Sequence, residues 1–282
     1  MSRIDVRPLS GVLGAELEGV DLSAPLEDEV FGELHRALLD HGVVCLHDQK
    51  LDREAQLAFA RRFGELDVHP IANGMKEHPE IIQVLKPSGE PAYFGTSWHS
   101  DNSFFAEPSA ITILYAETVP PAGGDTLFAS MEKAWETLSE PIKALLAPLS
   151  AVHCAARGYD PRTTGEAKYR GEAAITYTYS DSIYDEAEHP VVRTHPETDR
   201  PSLYVNAMFT ERIVGLTNHE SRALLAMLYR HATRPDFTCR VRWRPGTVTI
   251  WDNRQVQHYA LDDYADFERV MYRVKIRGTR PV

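Results

Sequence analysis

No stretch of the chain approaches about 18 consecutive apolar residues, so a membrane-spanning helix is not expected. The opening segment, MSRIDVRPLSGVLGAELEGVDL, also lacks the uninterrupted apolar core of a signal peptide. Cysteine is scarce: Cys45, Cys154 and Cys239 are three in number and widely separated within apolar or strand-like runs. They offer neither a disulfide framework nor a CxxC zinc site, and a reducing cytoplasm is the expected setting. Basic residues are outnumbered, 30 Lys and Arg against 41 Asp and Glu, for a formal net charge of −11. That balance argues against a nucleic-acid surface, which needs concentrated positive charge, and any anionic ligand would need locally placed cations. There is no internal repeat and no low-complexity tract.

What is present is the composition of a folded globular protein, 43% hydrophobic and 25% charged over 282 residues. A single domain spanning 1–282 with a sizeable core is the expectation. Val30, Phe31, Leu34, Ala37 and Leu38 recur at helical spacing, and Gly42 follows as a C-cap. VVCL after it reads as a strand. Asp52 caps a second helix carrying Leu57, Ala58 and Phe59, and Thr217-x-x-Glu220 is a capping-box pattern opening a third.

Short β-branched or aromatic runs at 81–85, 110–117, 125–130, 191–195, 202–206, 238–243, 247–251 and 270–276 predict strands. The segment from about 157 to 188 is polar, rich in Tyr, Gly and Asp, and without periodicity, so it is expected to be a long active-site loop. The fold class expected is α+β, with a double-stranded β-helix, or jelly-roll, core and helices packed outside. A jelly roll is one of the few closed solutions for so many short strands.

The segment WHSDNSFF places His99 and Asp101 two residues apart, and in extended backbone positions i and i+2 point to one side. An imidazole and a carboxylate can then share a metal. The best third ligand is His258 in WDNRQVQHYA, just after the strand TVTIW. Two histidines and one carboxylate form the facial triad of non-haem iron(II) oxygenases, which leaves three adjacent positions open. By itself the His-x-Asp pair is weak evidence, because the chain has 12 histidines.

The context is stronger. GAELEGVDL, FARRFGELDVHP, WHSDNSF, PPAGGDTLFAS, HPVVRTHPET, WDNRQVQHYA and ERVMYRVKIRG follow one another along almost the whole chain, which thereby resembles the taurine/phenoxyacetate (TauD/TfdA) family of iron(II)/2-oxoglutarate-dependent dioxygenases. The resemblance implies Fe(II) held by His99, Asp101 and His258, with 2-oxoglutarate as co-substrate and O2 as oxidant. It implies hydroxylation of a C–H bond in a small anionic organic substrate, with succinate and CO2 released. The retained carboxylate, Asp101, favours hydroxylation over halogenation.

In RVMYRVKIR, Arg269 and Arg273 fall on one strand face, roughly 13 Å apart by strand rise. They suit two different anions in one cavity, while Lys275 and Arg277 fit a solvated basic edge. The resemblance assigns Arg269 and the Thr126 hydroxyl to the distal carboxylate of 2-oxoglutarate, with Gly123-Gly124 as a turn into the strand. It assigns Arg273, with His69 of DVHP, to the acidic group of the substrate, Asn102 to the substrate side, and Phe209 to an aromatic pocket wall. Where the taurine enzyme carries an aromatic and an amide beside the substrate amine, this chain has Ala72 and Gly95. A sulfonate other than taurine, an alkyl sulfate ester or an aryloxyalkanoate is therefore the expected substrate. A metal-dependent hydrolase using the same triad, or a non-catalytic small-acid sensor on the same scaffold, are the rival readings, and the sequence leaves a homo-oligomer open.

Overall fold

The structure, a computed structural model, describes residues 4–90, 95–164 and 177–282. Its first half runs β1 (Asp5–Pro8), β2 (Ala15–Glu18), α1 (Asp28–His41), β3 (Val43–Leu46), α2 (Arg53–Ala60), β4 (Ile82–Lys86), β5 (Ser109–Thr118), β6 (Thr126–Ser130), α3 (Met131–Glu136), α4 (Glu140–Leu146) and β7 (Ser150–Cys154). The second half runs α5 (Ala156–Tyr159), α6 (Pro161–Thr164), β8 (Glu186–Pro190), β9 (Val192–Thr194), β10 (Pro201–Leu203), β11 (Thr210–Ile213), α7 (Asn218–Ala232), β12 (Thr238–Val241), β13 (Val248–Asp252), β14 (Val256–Ala260) and β15 (Arg269–Arg277).

A seven-stranded sheet has the order β1-β2-β3-β13-β5-β15-β4, antiparallel except for the β2–β3 pair. A three-stranded sheet, β12-β6-β14, faces it. The long strands alternate, so each face of the large sheet has its own core. Val44, Leu46, Ile113, Tyr115, Ile250 and Val274 pack on one side against Leu34 and Leu38 of α1 and Leu57 and Phe59 of α2. Val43, Leu114, Trp251 and Met271 point the other way and meet Phe128, Val241 and Val256 of the small sheet. Burying a side chain of this size contributes roughly 1.5–3 kcal/mol, so this second contact is a strong fixing force for the two sheets that carry the site.

The local signals hold where they are self-contained. Gly42 caps α1 with φ 70°, its N–H returning to Leu38 O; Asp52 accepts from Ala55 N; and Thr217 and Glu220 form the reciprocal capping box of α7. The expected strands all appear, while β1, β2, β7, β8, β11 and β14 and the helices α3 and α4 were not foreseen. Residues 157–188 are not one irregular loop: they include α6, a helical turn at Asp181–Tyr184 and the start of β8. The centre of that expected loop, 165–176, lies outside the described residues. Among the described residues no helix is long and apolar enough to cross a membrane.

Candidate active site

His99 and His258 come from opposite sides of a single antiparallel bridge. His99 N donates to His258 O at 3.1 Å and His258 N donates back at 2.8 Å, which brings the two rings to 4.1 Å. Two residues on, the chain leaves extended geometry: Asp101 opens a turn, and Asn102 adopts the left-handed region with φ 57°. The side chains of His99, Asp101 and His258 are all buried, and one ligand atom from each lies within 4.8 Å of the others.

The protonation states suit a cation. His99 Nδ1–H donates to Ser97 O at 2.7 Å, leaving Nε2 with its lone pair. Burial holds both imidazoles neutral, lowering His99 and driving His258 well below its ordinary value. Burial alone would raise Asp101, but the Lys275 ammonium, with the Arg273 guanidinium, outweighs it and holds the carboxylate well below its ordinary range. Behind Asp101, Thr112 Oγ1 donates to Oδ2 at 2.7 Å, and Asn253 Nδ2 donates to that hydroxyl at 2.9 Å. Asn253 Oδ1 accepts from Asp101 N at 3.1 Å and from Trp251 Nε1 at 3.0 Å. Two neutral nitrogens and one carboxylate oxygen, with no sulfur, are the donor set that non-haem iron(II) takes.

A second cluster, Glu16, Cys45 and His47, does not share these properties. Its imidazole nitrogens already meet Thr247 Oγ1 at 2.8 Å and Glu16 Oε1 at 3.3 Å, and burial pushes the Cys45 thiol up to about 12.

One cavity is lined by His258, Thr126, Tyr264, Arg269 and Arg273, so Arg269 and Arg273 of β15 reach the same space. Arg269 is buried, its Nε has no partner among the described residues, and its guanidinium lies 5.6 Å from the Trp243 ring and 5.8 Å from that of Tyr264. Trp243 Nε1 donates to Thr126 Oγ1 at 3.0 Å, leaving the threonine hydroxyl hydrogen available for an acceptor in the cavity. Lys86 secures this wall by donating to Ala265 O at 2.8 Å and Phe267 O at 2.9 Å. A buried guanidinium with an unpartnered nitrogen beside a hydroxyl fits one carboxylate of a dicarboxylate.

On the opposite side of His99, Phe209 meets the His99 ring edge-on at 6.0 Å, Phe104 at 4.8 Å, and Tyr159 in parallel at 6.0 Å. These rings form an apolar cluster beside His99. His69 and Asn102 are engaged differently from the expectation. His69 Nδ1 accepts from Ile71 N and Ala72 N at 3.1 and 2.9 Å, so its remaining N–H points to Asn102 Oδ1 at 3.1 Å. Burial drives its pKa well below the ordinary value, with Lys275 and Arg273 adding to the shift. Asn102 Nδ2 donates to Asp67 and Ser109 at 3.2 and 2.9 Å, and Lys275 Nζ donates to Asn102 Oδ1 at 3.0 Å. Both side chains thus have their polar atoms engaged within the protein.

Lys275 corrects the expectation most clearly. It is 4% exposed, not solvated, and donates to Asp101 at 3.0 Å, whereas Arg277 does lie at the surface beside Glu65. Thr112, Asn253 and Lys275 went unrecognised because their roles depend on which strands become neighbours. Asn253 stands in the phrase WDNRQVQHYA and Lys275 in ERVMYRVKIRG, and these are the signals the sequence offers for them.

The family described as "Taurine catabolism dioxygenase TauD, TfdA family" matches residues 5–275. The chain belongs to the TauD/TfdA family. This TauD/TfdA chain is 36% identical to the alpha-ketoglutarate-dependent sulfate ester dioxygenase of Pseudomonas putida, over 99% of its length and 91% of that protein. It is 32% identical to an (S)-phenoxypropionate/alpha-ketoglutarate-dioxygenase of Sphingobium herbicidovorans, over 97% of its length and 95% of that protein. The crystal structure of a taurine dioxygenase from Burkholderia xenovorans superposes with a TM-score of 0.83 at 37% identity, covering 99% of this chain and 93% of that one.

Proposed function

We propose that the protein is an iron(II)- and 2-oxoglutarate-dependent dioxygenase that hydroxylates a C–H bond of a small anionic substrate, a sulfonate, alkyl sulfate or aryloxyalkanoate. The observation that carries this reading is the buried His99/Asp101/His258 cluster sharing a cavity with Thr126, Arg269 and Arg273. Relatives named as dioxygenases for sulfate esters and phenoxypropionate support oxidation over hydrolysis, and support an acidic substrate. On this reading residues 1–282 form one catalytic domain, and the facing seven- and three-stranded sheets are the two halves of a double-stranded β-helix.

Iron(II), when bound with 2-oxoglutarate, supplies the activation of O2 that couples loss of CO2 and formation of succinate to substrate oxidation. The chain's own residues do the positioning. Arg269 and Thr126 take the distal carboxylate of 2-oxoglutarate, fixing the angle at which the molecule enters the cavity. Arg273 takes the substrate's acidic group, and Phe209 with Phe104 and Tyr159 packs against its organic portion and keeps water from that side. Hydroxylation on the carbon next to a sulfonate sulfur, a sulfate-ester oxygen or an ether oxygen gives an unstable adduct. It breaks to a carbonyl compound and sulfite, sulfate or a phenol.

His69 and Asn102 support the substrate side by holding one another and Lys275 in place, rather than by presenting a spare donor. Ala72 and Gly95 leave no side-chain amide for an amine. Gly95 is set by its backbone, with φ 75° and a position where a Cβ would lie 3.3 Å from Ala260 and 3.8 Å from His99 Cε1.

The test is succinate release and O2 consumption by purified protein with Fe(II) and 2-oxoglutarate, across sulfonates, sulfate esters and aryloxy acids. Substrate-stimulated succinate formation that requires both iron and O2 is expected. Product release without O2 consumption would establish the hydrolase instead, and metal or acid binding without any turnover would establish the sensor.

A further inference from the structure

Lys275 makes the closest cationic contact to the candidate metal ligands, and the reading above gives it no role toward the metal itself. On β15 the odd-numbered side chains Arg269, Arg273 and Lys275 share the cavity side, and Lys275 stands opposite Thr112 in the ladder with β5. Its ammonium lies 3.0 Å from Asp101 Oδ1 and 3.0 Å from Asn102 Oδ1. The orientation of Asp101 is already determined without it. Thr112 holds Oδ2, and Asn253 holds the backbone N–H. A hydroxyl orients the carboxylate and leaves its charge free, whereas the ammonium sets a positive charge against Oδ1, the oxygen that Thr112 does not hold.

We propose that Lys275 is a resident counter-ion of Asp101, which competes with the metal for that carboxylate and sets the affinity of the centre below what the three ligands alone would give. The proposal rests on the reading of His99, Asp101 and His258 as a metal centre. A buried carboxylate with no cationic partner is strongly destabilising, so Lys275 lets the site fold with its charge balanced before metal arrives. A dication brought to the same carboxylate is repelled by the ammonium, and in a water-excluded site that repulsion is weakly screened. Arg273 Nη1, 4.0 Å from the same oxygen, adds to it. Asn102 Oδ1 gives the ammonium a second acceptor on which to stay as its hold on Asp101 loosens, and His69 N–H fixes that acceptor.

Two variants and one metal test this. Lys275→Met removes the charge at similar side-chain length, and Lys275→Arg keeps it. Metal-depleted full-length proteins are titrated with Co(II) by calorimetry, and their thermal midpoints are measured with and without Co(II). Lys275→Met is expected to bind Co(II) about tenfold more tightly or better, equivalent to about 1.4 kcal/mol. It should also be less stable without metal and show a larger Co(II)-induced rise in Tm than the parent protein. Lys275→Arg should stay near the parent affinity. Equal or weaker Co(II) binding by Lys275→Met means that Lys275 serves only to position Asp101, and the proposal is overturned. If Lys275→Met does not fold, Lys275→Gln is judged by the same criterion. If the parent protein takes up no more Co(II) than a His99→Ala variant, the metal-centre reading itself falls and takes this proposal with it.

Discussion

Thr112 donates its hydroxyl hydrogen to Asp101 Oδ2 at 2.7 Å while accepting from Asn253 at 2.9 Å, so the orientation of the carboxylate depends on strand β5 and the turn after β13 together. Hydrogen bonds of this kind around metal ligands typically change affinity by 10- to 100-fold. Thr112→Val is therefore expected to weaken Co(II) or Fe(II) binding by about that range. The unpaired Asn253 amide should lower the thermal midpoint as well, since a buried donor without a partner costs about 1–3 kcal/mol. Metal titration beside thermal denaturation reads both, and unchanged affinity would remove Thr112 from the centre.

Arg269 and Arg273 line one cavity but are proposed to serve different anions. Arg269→Ala should raise the KM for 2-oxoglutarate, and Arg273→Ala the KM for the organic substrate. A hydrogen bond to a charged group contributes about 1.5–3 kcal/mol, so each change should be about 10- to 150-fold. Arg273→Ala should also release more succinate per substrate oxidised, because the co-substrate is then turned over beside a poorly held substrate. Steady-state kinetics in both ligands checks this, and an identical effect of the two variants on one ligand would refute the division.

His153 and His189 lie away from the candidate centre, their rings 5.3 Å apart in a buried polar pocket with Ser103 and Tyr204. Burial and the neighbouring ring bring His153 down to about 3; burial, with Arg193 and Arg280 adding to it, brings His189 down to about 4. In the unfolded chain both return to an ordinary value near 6.5, so between that value and the lowered ones the unfolded state binds more protons. The stability these groups contribute is thus complete above about pH 6.5 and is lost progressively as pH falls toward 4 and then 3. The slope is about 1.4 kcal/mol per pH unit for each group. Urea midpoints measured down this range should decline, and His189→Gln should flatten the curve; an unaltered slope would mean the histidine is already protonated in the fold.

Gly95 sits at φ 75° with its Cα face against Ala260 and the His99 ring. Gly95→Asn, which restores an amide, is expected to cost about 1–3 kcal/mol through backbone strain and contact with Ala260. It should weaken metal binding by displacing His99, without creating efficient turnover of taurine. Thermal denaturation and the succinate assay with taurine decide it. High taurine activity in this variant would show that the single amide sets the preference.

The alternation of Arg269 and Arg273 and the caps of α1, α2 and α7 are legible in the sequence because each depends on residues within a few positions, whereas His99 and Asp101 come together through a turn at Asp101 and not through the extended backbone expected of them. Strand period and capping geometry are local properties, and the resemblance along the chain placed His258 as their partner. Lys275 obeyed the same alternation, yet its burial was hidden, because it follows from β15 lying beside β5 in the register that sets Lys275 against Thr112. The partners of His69 are equally hidden in the sequence, since the backbone of Ile71 and Ala72 meets one nitrogen and Asn102 the other only in the folded chain. The short strand β14 escapes the sequence pattern for a related reason, since its five residues carry too little periodicity and its hydrogen bonds come from β6, far along the chain, whereas β1 and β2 pair with one another locally and escape it through shortness alone. The sequence alone thus determined which side chains could carry the chemistry; the tertiary structure decided which of them remain available to a ligand, since contacts between distant segments settle both burial and hydrogen bonding.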